Sequence, residues 1–258
     1  MTMEQKNMIV EKLRDAGCVF AEEEADILLS TAKNNVHLIT MVDQRVSGMP
    51  LEYVVGWAEF CGLKIQIDKG VFVPRKRTEF LVQKAITLVR SGATVVDLCC
   101  GSGALGVAVC STLESFQLYA ADIDRNAIIC ARRNVQPLGG QVYEGDLYHA
   151  LPEYLFGQVD LLIVNAPYVP TNEIDLLPSE ARIHEAQVAL DGGLDGLDIH
   201  RRVARDASHW LDSGGHLIME TSEQQAPHAR EIFYQNGLSA QVIQSEEFEA
   251  NVVIGKKK

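Results

Sequence analysis

The spacing of hydrophobic residues changes character twice along this chain. In the first 50 or so residues it is helical. Met8, Ile9 and Leu13 share one face of "MEQKNMIVEKLRDAG", with Gly17 as a stop, and "EEEADILLSTAK" and "HLITMVDQRV" repeat the pattern. Three short helices are expected there, with Glu22 to Glu24 as a solvated helix start, because acidic side chains favour the positive end of the helix dipole. The stretch "SGMPLEYVVGWAEFCGLKIQIDKGVFVP" reads otherwise: β-branched and aromatic residues broken by Gly56, Gly62 and Gly70 predict a hairpin joining two domains.

From Arg77 onward, apolar runs of strand length alternate with amphipathic segments. Strands are expected at 94–98, 117–122, 141–143, 159–164 and 215–220, with helices between them. The last two apolar runs, "SAQVIQS" and "NVVIGKK", lie too close together for a helical crossover and predict an antiparallel pair. The fold class is therefore α/β: a doubly wound, mostly parallel sheet with an antiparallel strand at its C-terminal end, preceded by a small helical domain. The expected divisions are residues 1–49 (helical), 50–73 (hairpin linker) and 74–258 (the α/β domain). Ligands on such sheets bind at the carboxyl ends of the strands, so the chemistry is sought there.

Composition narrows the setting. The chain has 258 residues, 47% hydrophobic and 22% charged, enough for one large core and a small second one. No apolar run approaches the roughly 20 residues that span a bilayer, and the N-terminal segment lacks a signal-peptide core, which predicts a cytoplasmic protein without membrane association. The six cysteines form no C-x-x-C pair and several lie in apolar runs, so reduced thiols and no zinc site are expected. His184 and Glu185 lack a third metal ligand at suitable spacing, and Trp57 and Trp210 read as packing residues. A formal net charge of −12 argues against a nucleic-acid partner, which calls for clustered Lys and Arg. Arg75, Lys76 and Arg77 form a short basic cluster that reads equally as part of a substrate entrance or as a solvated turn.

"VVDLCCGSGALGVAV" has the order strand, tight loop, helix, with Gly101, Gly103 and Gly106 in G-x-G-x-x-G spacing. Glycine allows the backbone to turn sharply there and come close to a ligand, and the helix that follows offers free amide groups. Asp122 ends the next strand, where a carboxylate can accept both ribose hydroxyls of an adenosine, and Asp146 in "YEGDLYHAL" ends the third, where an adenine would lie. Asp124 is the better candidate for capping the helix "DRNAIICARRN". Asp97, just before the glycines, could face a methionine ammonium or simply tie the loop down. To this point a dinucleotide and S-adenosylmethionine remain open.

The fourth strand ends in "NAPYVP". Asn165 emerges at the same sheet edge as the glycine loop, Pro167 biases Ala166 towards an extended shape that fixes its carbonyl, and Tyr168 adds a flat ring. Two acceptors and a platform suit a planar N–H₂ group. Such a nitrogen is a poor nucleophile, so the main contribution is positioning towards an electrophilic methyl, with no general base needed before transfer.

These segments together resemble the HemK/PrmC-type protein-glutamine N5-methyltransferases. "PLEYVVGWAEFCGLKIQIDKGVFVPRKRTEFLV" is similar to the family's linker hairpin and cofactor-covering segment, "VVDLCCGSGALGVAV" to its glycine loop, "AADIDRNAIICARRN" to its ribose-binding segment, and "ALDGGLDGLDIHRRV" to a stretch after its N-P-P-Y motif. The resemblance implies a class I S-adenosylmethionine-dependent methyltransferase acting on the Gly-Gly-Gln loop of a peptide-chain release factor. It implies that Asn165 and the Ala166 carbonyl hold the glutamine amide, with Pro167 and Tyr168 shaping the pocket. Cys99, Cys100, Gly101, Ser102 and Gly103 would line the methionine end of the cofactor, Asp122 would bind its ribose, and Asp146 with Leu147 would flank its adenine. Three departures stand out: N-A-P-Y in place of N-P-P-Y, Cys99 where glycine is common, and a short N-terminal helical region, which in the family helps select the partner. The alternatives are another glutamine-bearing protein, the exocyclic amine of adenine in RNA or DNA, a dinucleotide-dependent dehydrogenase, and a catalytically silent binding module.

Overall fold

The computed structural model describes residues 3–258, so the first two residues of the expected 1–49 unit lie outside it. Helices α1 (Met3–Asp15), α2 (Ala21–Thr31) and α3 (Asn35–Val46) come first. Their inward faces enclose a core of their own, with Leu13, Leu28 and Met41 at its centre. Glu24 departs from the expected solvated helix start. It falls on the same face as Ala21, Ala25 and Leu28, is buried, and forms an ion pair with Arg45 of α3 at 2.6 Å. Acidic residues suit a helix start, but the face they occupy is decided by the neighbouring apolar positions.

The linker contains the expected hairpin, but its first part is helical. A short helix α4 (Leu51–Val55) precedes the strand pair β1 (Trp57–Phe60) and β2 (Leu63–Gln66). Pro50 stands at its N-cap and Gly56, at φ 81°, ends it, so start and stop signals override the β-branched character of "LEYVV". Tyr53 points inward and donates to the Val71 carbonyl at 2.8 Å.

The large unit runs α5 (Glu79–Ile86), β3 (Ala93–Leu98), α6 (Ala104–Cys110), β4 (Phe116–Asp122), α7 (Arg125–Val135), β5 (Gln141–Glu144), β6 (Val159–Val164), α8 (Ser179–His184), α9 (Asp198–Trp210), β7 (Leu211–Thr221), α10 (Ala226–Gln235), β8 (Leu238–Ser245) and β9 (Ala250–Lys257). The seven strands lie in the order β5-β4-β3-β6-β7-β9-β8. β5, β4, β3, β6 and β7 are parallel, while β9 is antiparallel to both β7 and β8. Alternate side chains feed two cores. Val95, Leu161 and Ile163 face the layer containing α5 and α6, while Val96, Leu98 and Leu162 face the layer containing α9 and α10. Trp210 stacks on Tyr148 in the second core, with ring centres 5.4 Å apart. No helix among the described residues is long and apolar enough to cross a membrane.

The strand register sets the site. Leu98 pairs with Ala121 on one side and Val164 on the other, and Val164 pairs with Met219. The next residue of each strand therefore falls in one row along the carboxyl edge: Asp122, Cys99, Asn165 and Glu220. With neighbouring strands about 4.8 Å apart, Asp122 and Asn165 flank the glycine loop at roughly 10 Å from one another.

Candidate active site at the carboxyl edge of the sheet

The loops leaving this edge enclose a cleft of about 1080 Å³. Its walls include Cys99, Cys100, Gly101, Ser102, Asp122, Asp146, Leu147 and all four residues from Asn165 to Tyr168. The segment 70–77 and the segment 177–190 complete it from above the sheet. Among the site residues expected from the sequence, Asp97 and Gly103 are the two that do not line the cleft.

The three glycines serve three different ends. Gly101 has φ 54°, and a Cβ there would enter open space, so the loop leaves room beside it. Gly103 opens α6 at φ 79°, and a Cβ would meet Val135 Cγ2 at 2.6 Å. Gly106 packs the helix on the sheet, where a Cβ would come within 2.7 Å of Leu118. Cys99 takes the same left-handed backbone, φ 54°, a conformation that favours glycine. Burial pushes its thiol well above the ordinary range, so it stays protonated and apolar in character.

Asp97 sits behind the loop. Its Oδ2 accepts from the Gly106 amide at 2.8 Å, and Oδ1 has no partner among the described residues. Desolvation pushes its carboxyl up to about 8. Asp97 thus ties the loop to α6 through one oxygen and does not line the cleft.

Asp122 stands at the cleft wall. One oxygen accepts from the Gly101 amide and the other from the Asp124 amide, each at 2.8 Å. Asp122 itself lines the cleft, so the carboxylate held by these amides borders the space a ligand would occupy. Burial raises its pKa, partly offset by these amides. Asp124 caps α7 by accepting from Asn126. Ile123, half exposed, adds an apolar wall between them that sequence reading did not single out. Asp146 meets Arg202 at 2.6 Å, and Leu147 is at φ 50°.

The loop after β6 is held by partners far away in sequence. The Tyr168 hydroxyl donates to Glu220 Oε1 at 2.8 Å, and burial beside that carboxylate raises the tyrosine's pKa. The Tyr168 carbonyl accepts from Gln225 Nε2 at 2.9 Å. The stretch 190–196 wraps the same loop: Val169 donates to Leu190, Gly192 to Val169, and Thr171 to Gly193. A Cβ on Gly192 would lie 2.8 Å from the Pro167 carbonyl, and one on Gly196 would overlap the Tyr168 carbonyl and Gln225 Nε2. Gly192 and Gly196 of "ALDGGLDGLDIH" thus let two loops touch. Of the basic cluster, Arg75 pairs with buried Glu185 at 2.7 Å, Lys76 with Glu79 at 2.8 Å, and Arg77 with Glu220 at 3.2 Å. All three line the cleft while serving as ties. Glu220, Gln225, Ile123 and Arg202 escaped the sequence reading; the one available signal was a carboxylate, Glu220, ending an apolar strand.

A seven-stranded sheet with β9 running against its neighbours, a glycine loop after its central strand and an acidic residue after the next one define a class I methyltransferase. The methyltransferase small domain matches residues 62–194. The fold recurs in a methyltransferase from Pyrococcus furiosus, at 17% identity and a TM-score of 0.58 over 76% of this chain and 89% of that one. The release factor glutamine methyltransferase of Geobacter sulfurreducens is 36% identical over 76% of this chain and 69% of its own length, and the one of Streptomyces coelicolor is 34% identical over 86% and 85%. The chain belongs to the HemK/PrmC family of release factor glutamine methyltransferases. Another relative, at 34% identity over 76% of this chain and 69% of its own, is the 4-amino-L-phenylalanine/4-methylamino-L-phenylalanine methyltransferase of Streptomyces pristinaespiralis.

Proposed function

We propose that this enzyme transfers a methyl group from S-adenosylmethionine to the side-chain amide nitrogen of a protein glutamine, in the Gly-Gly-Gln loop of a peptide-chain release factor. The observation that carries the reading is the register, which sets Asn165 one strand from the glycine loop and opposite Asp122. The residues present suit the cofactor: a carboxylate, Asp122, lines the cleft, and Gly101 leaves space beside it. When bound, S-adenosylmethionine supplies a methyl group on a positively charged sulfur. In this reading Asp122 accepts from the ribose hydroxyls, Asp146, Leu147 and Ile123 flank the adenine, and the backbone from Cys99 to Ser102 borders the methionine end.

Asn165 Oδ1 and the Ala166 carbonyl accept the two amide protons of the glutamine, and Tyr168 packs its plane. Holding the planar N–H₂ by both protons keeps the nitrogen facing the methyl donor, which converts a weak nucleophile into a well-placed one. As the N–C bond forms the S–CH₃ bond would break, leaving the neutral thioether S-adenosylhomocysteine, and the nitrogen then loses one proton to solvent, so no base has to act first. Ala166 is 2% exposed, so its carbonyl is held by packing even though it lacks the ring of a second proline. Residues 1–49 are read as the unit that selects the protein partner. Arg45, bonded to Glu180 at 2.8 Å, ties that unit to the segment covering the cleft. The hollow beyond Tyr168 is walled by Glu220, Glu223, Glu246 and Glu249 against Arg77, which disfavours a phosphate backbone there. The setting is read as cytoplasmic, with all six cysteines free.

The test is transfer of label from radiolabelled S-adenosylmethionine to the host's purified release factors. Label that disappears when the Gln of the Gly-Gly-Gln loop is changed to Ala is the expected result; protein-free label on 4-amino-L-phenylalanine would instead favour the chemistry named for the Streptomyces relative.

A further inference from the structure

Glu220 is a buried carboxylate at the end of β7, 2% exposed, directly beside the acceptor loop. Taking a carboxylate out of water is costly, and a single partly exposed arginine does not make such a site a source of stability. Its contacts say what it does instead. Oε1 accepts from both the Tyr168 hydroxyl at 2.8 Å and Arg77 Nε at 3.2 Å, and the Arg77 guanidinium also lies over the Tyr168 ring at 5.8 Å. The backbone of Glu220 is fixed from behind by His200, whose Nε2 lies 3.0 Å from its carbonyl oxygen. The opposite end of Tyr168, its carbonyl, is gripped by Gln225. The Gln225 amide is fully used: Nε2 also donates to the Asp195 carbonyl and Oε1 accepts from the Ser222 hydroxyl at 2.8 Å.

We infer that Glu220 and Gln225 are positioning residues of the acceptor site, fixing the ring and the backbone of Tyr168 from β7 and the turn before α10 so that the platform for the acceptor nitrogen is rigid before substrate arrives. The inference rests on the proposed reading of Tyr168 as that platform. Neither residue lines the main cleft, so both act through Tyr168 rather than on the acceptor. The arrangement explains why the tyrosine follows proline: Pro167 fixes the direction of entry, and two side chains from the neighbouring strand and turn fix the exit.

The experiment compares Glu220→Ala, Glu220→Gln, Tyr168→Phe and the double variant Glu220→Ala/Tyr168→Phe with the wild type. Transfer is assayed with the acceptor that the wild type methylates, and cofactor affinity is measured by calorimetry. Glu220→Gln keeps an oxygen that accepts from Tyr168 and is expected to stay within about threefold of wild type in kcat, whereas Glu220→Ala loses roughly 10- to 100-fold, with cofactor affinity unchanged. Residues acting as one unit are non-additive, so the double variant should be no slower than the worse single one. Additive losses, or equal losses in Glu220→Gln and Glu220→Ala, would overturn the inference, and so would a parallel fall in cofactor affinity. Should the wild type methylate none of the acceptors offered, the proposed function fails. The positioning claim is then decided by the crystal structure of Glu220→Ala: a displaced Tyr168 ring supports it, and an unmoved ring rejects it.

Discussion

The two halves of the cleft are built by opposite strategies. The half on the β4 side is local. Gly101 and Asp122 are 21 residues apart, joined by a 2.8 Å bond, and the helix that follows each loop directly completes the wall. The half on the β6 side is assembled from a distance, since Tyr168 depends on Glu220 and Gln225, more than 50 residues later, and on Gly192 and Gly196 of an intervening loop. A local site can bind one invariant molecule with few residues. An acceptor site built from separate segments can be altered piece by piece, which fits a family in which one relative acts on release factors and another on an aromatic amine.

That contrast predicts separable damage. The largest effect is expected for Asn165→Ala: kcat should fall by on the order of 10²- to 10³-fold or more, since positioning of a weak nucleophile is lost, while calorimetry finds the affinity for S-adenosylmethionine within about twofold of wild type. A joint loss of affinity and rate would mean that the halves are not separate.

An effect of similar size concerns stability in acid and lies behind the acceptor half. Burial holds the His200 ring far below its ordinary value, at about 4. The unfolded chain takes up this proton near 6.5, so the contribution is whole above pH 6.5, drains as the pH falls, and amounts to on the order of 3 kcal/mol lost by pH 4. Asp97, pushed up to about 8, works in the other direction, being most favourable to folding when protonated. Urea melts of wild type and His200→Gln at pH 7, 6 and 5 separate the two: the gap between the melts should narrow as the pH drops, and a constant gap would remove His200 as the cause.

Asp122→Ala strikes the local half. Cofactor affinity should fall roughly 10- to 100-fold, because hydrogen bonds to a charged acceptor are each worth about 1.5–3 kcal/mol. At saturating cofactor kcat should recover to near wild type, and a kcat that stays low would link the halves. The smallest change is expected for Arg202→Ala. Its pair with Asp146 is half exposed on both sides, so stability should move by less than about 1 kcal/mol in a denaturant titration.

How much of this could be read from the sequence follows the same division. The glycine loop, Asp122 and Asp124 were legible because their partners are near neighbours and strand ends are marked by apolar runs. The place of Asn165 at the carboxyl edge was legible because a polar residue closing an apolar strand is conspicuous. Glu220 closes β7 in the same way, yet its role depends on β7 lying next to β6, a consequence of sheet order that no local pattern encodes. Glu24 misled because its charge outweighed its place on the apolar face of α2. The stretch "LEYVV" misled because residue preference for strands is weaker than a proline start and a glycine stop. The bond of Asp97 to the Gly106 amide was not legible, because it depends on how α6 packs against β3.

The central claim, that the acceptor half holds an N–H₂ group by two fixed oxygens, is tested most directly by a crystal structure of the enzyme with S-adenosylhomocysteine and a glutamine-bearing peptide from the release-factor loop. The account predicts the glutamine nitrogen within about 3 Å of both Asn165 Oδ1 and the Ala166 carbonyl, with the Tyr168 ring against the amide plane. An amide bound elsewhere in the cleft, or one held by neither oxygen, would contradict it.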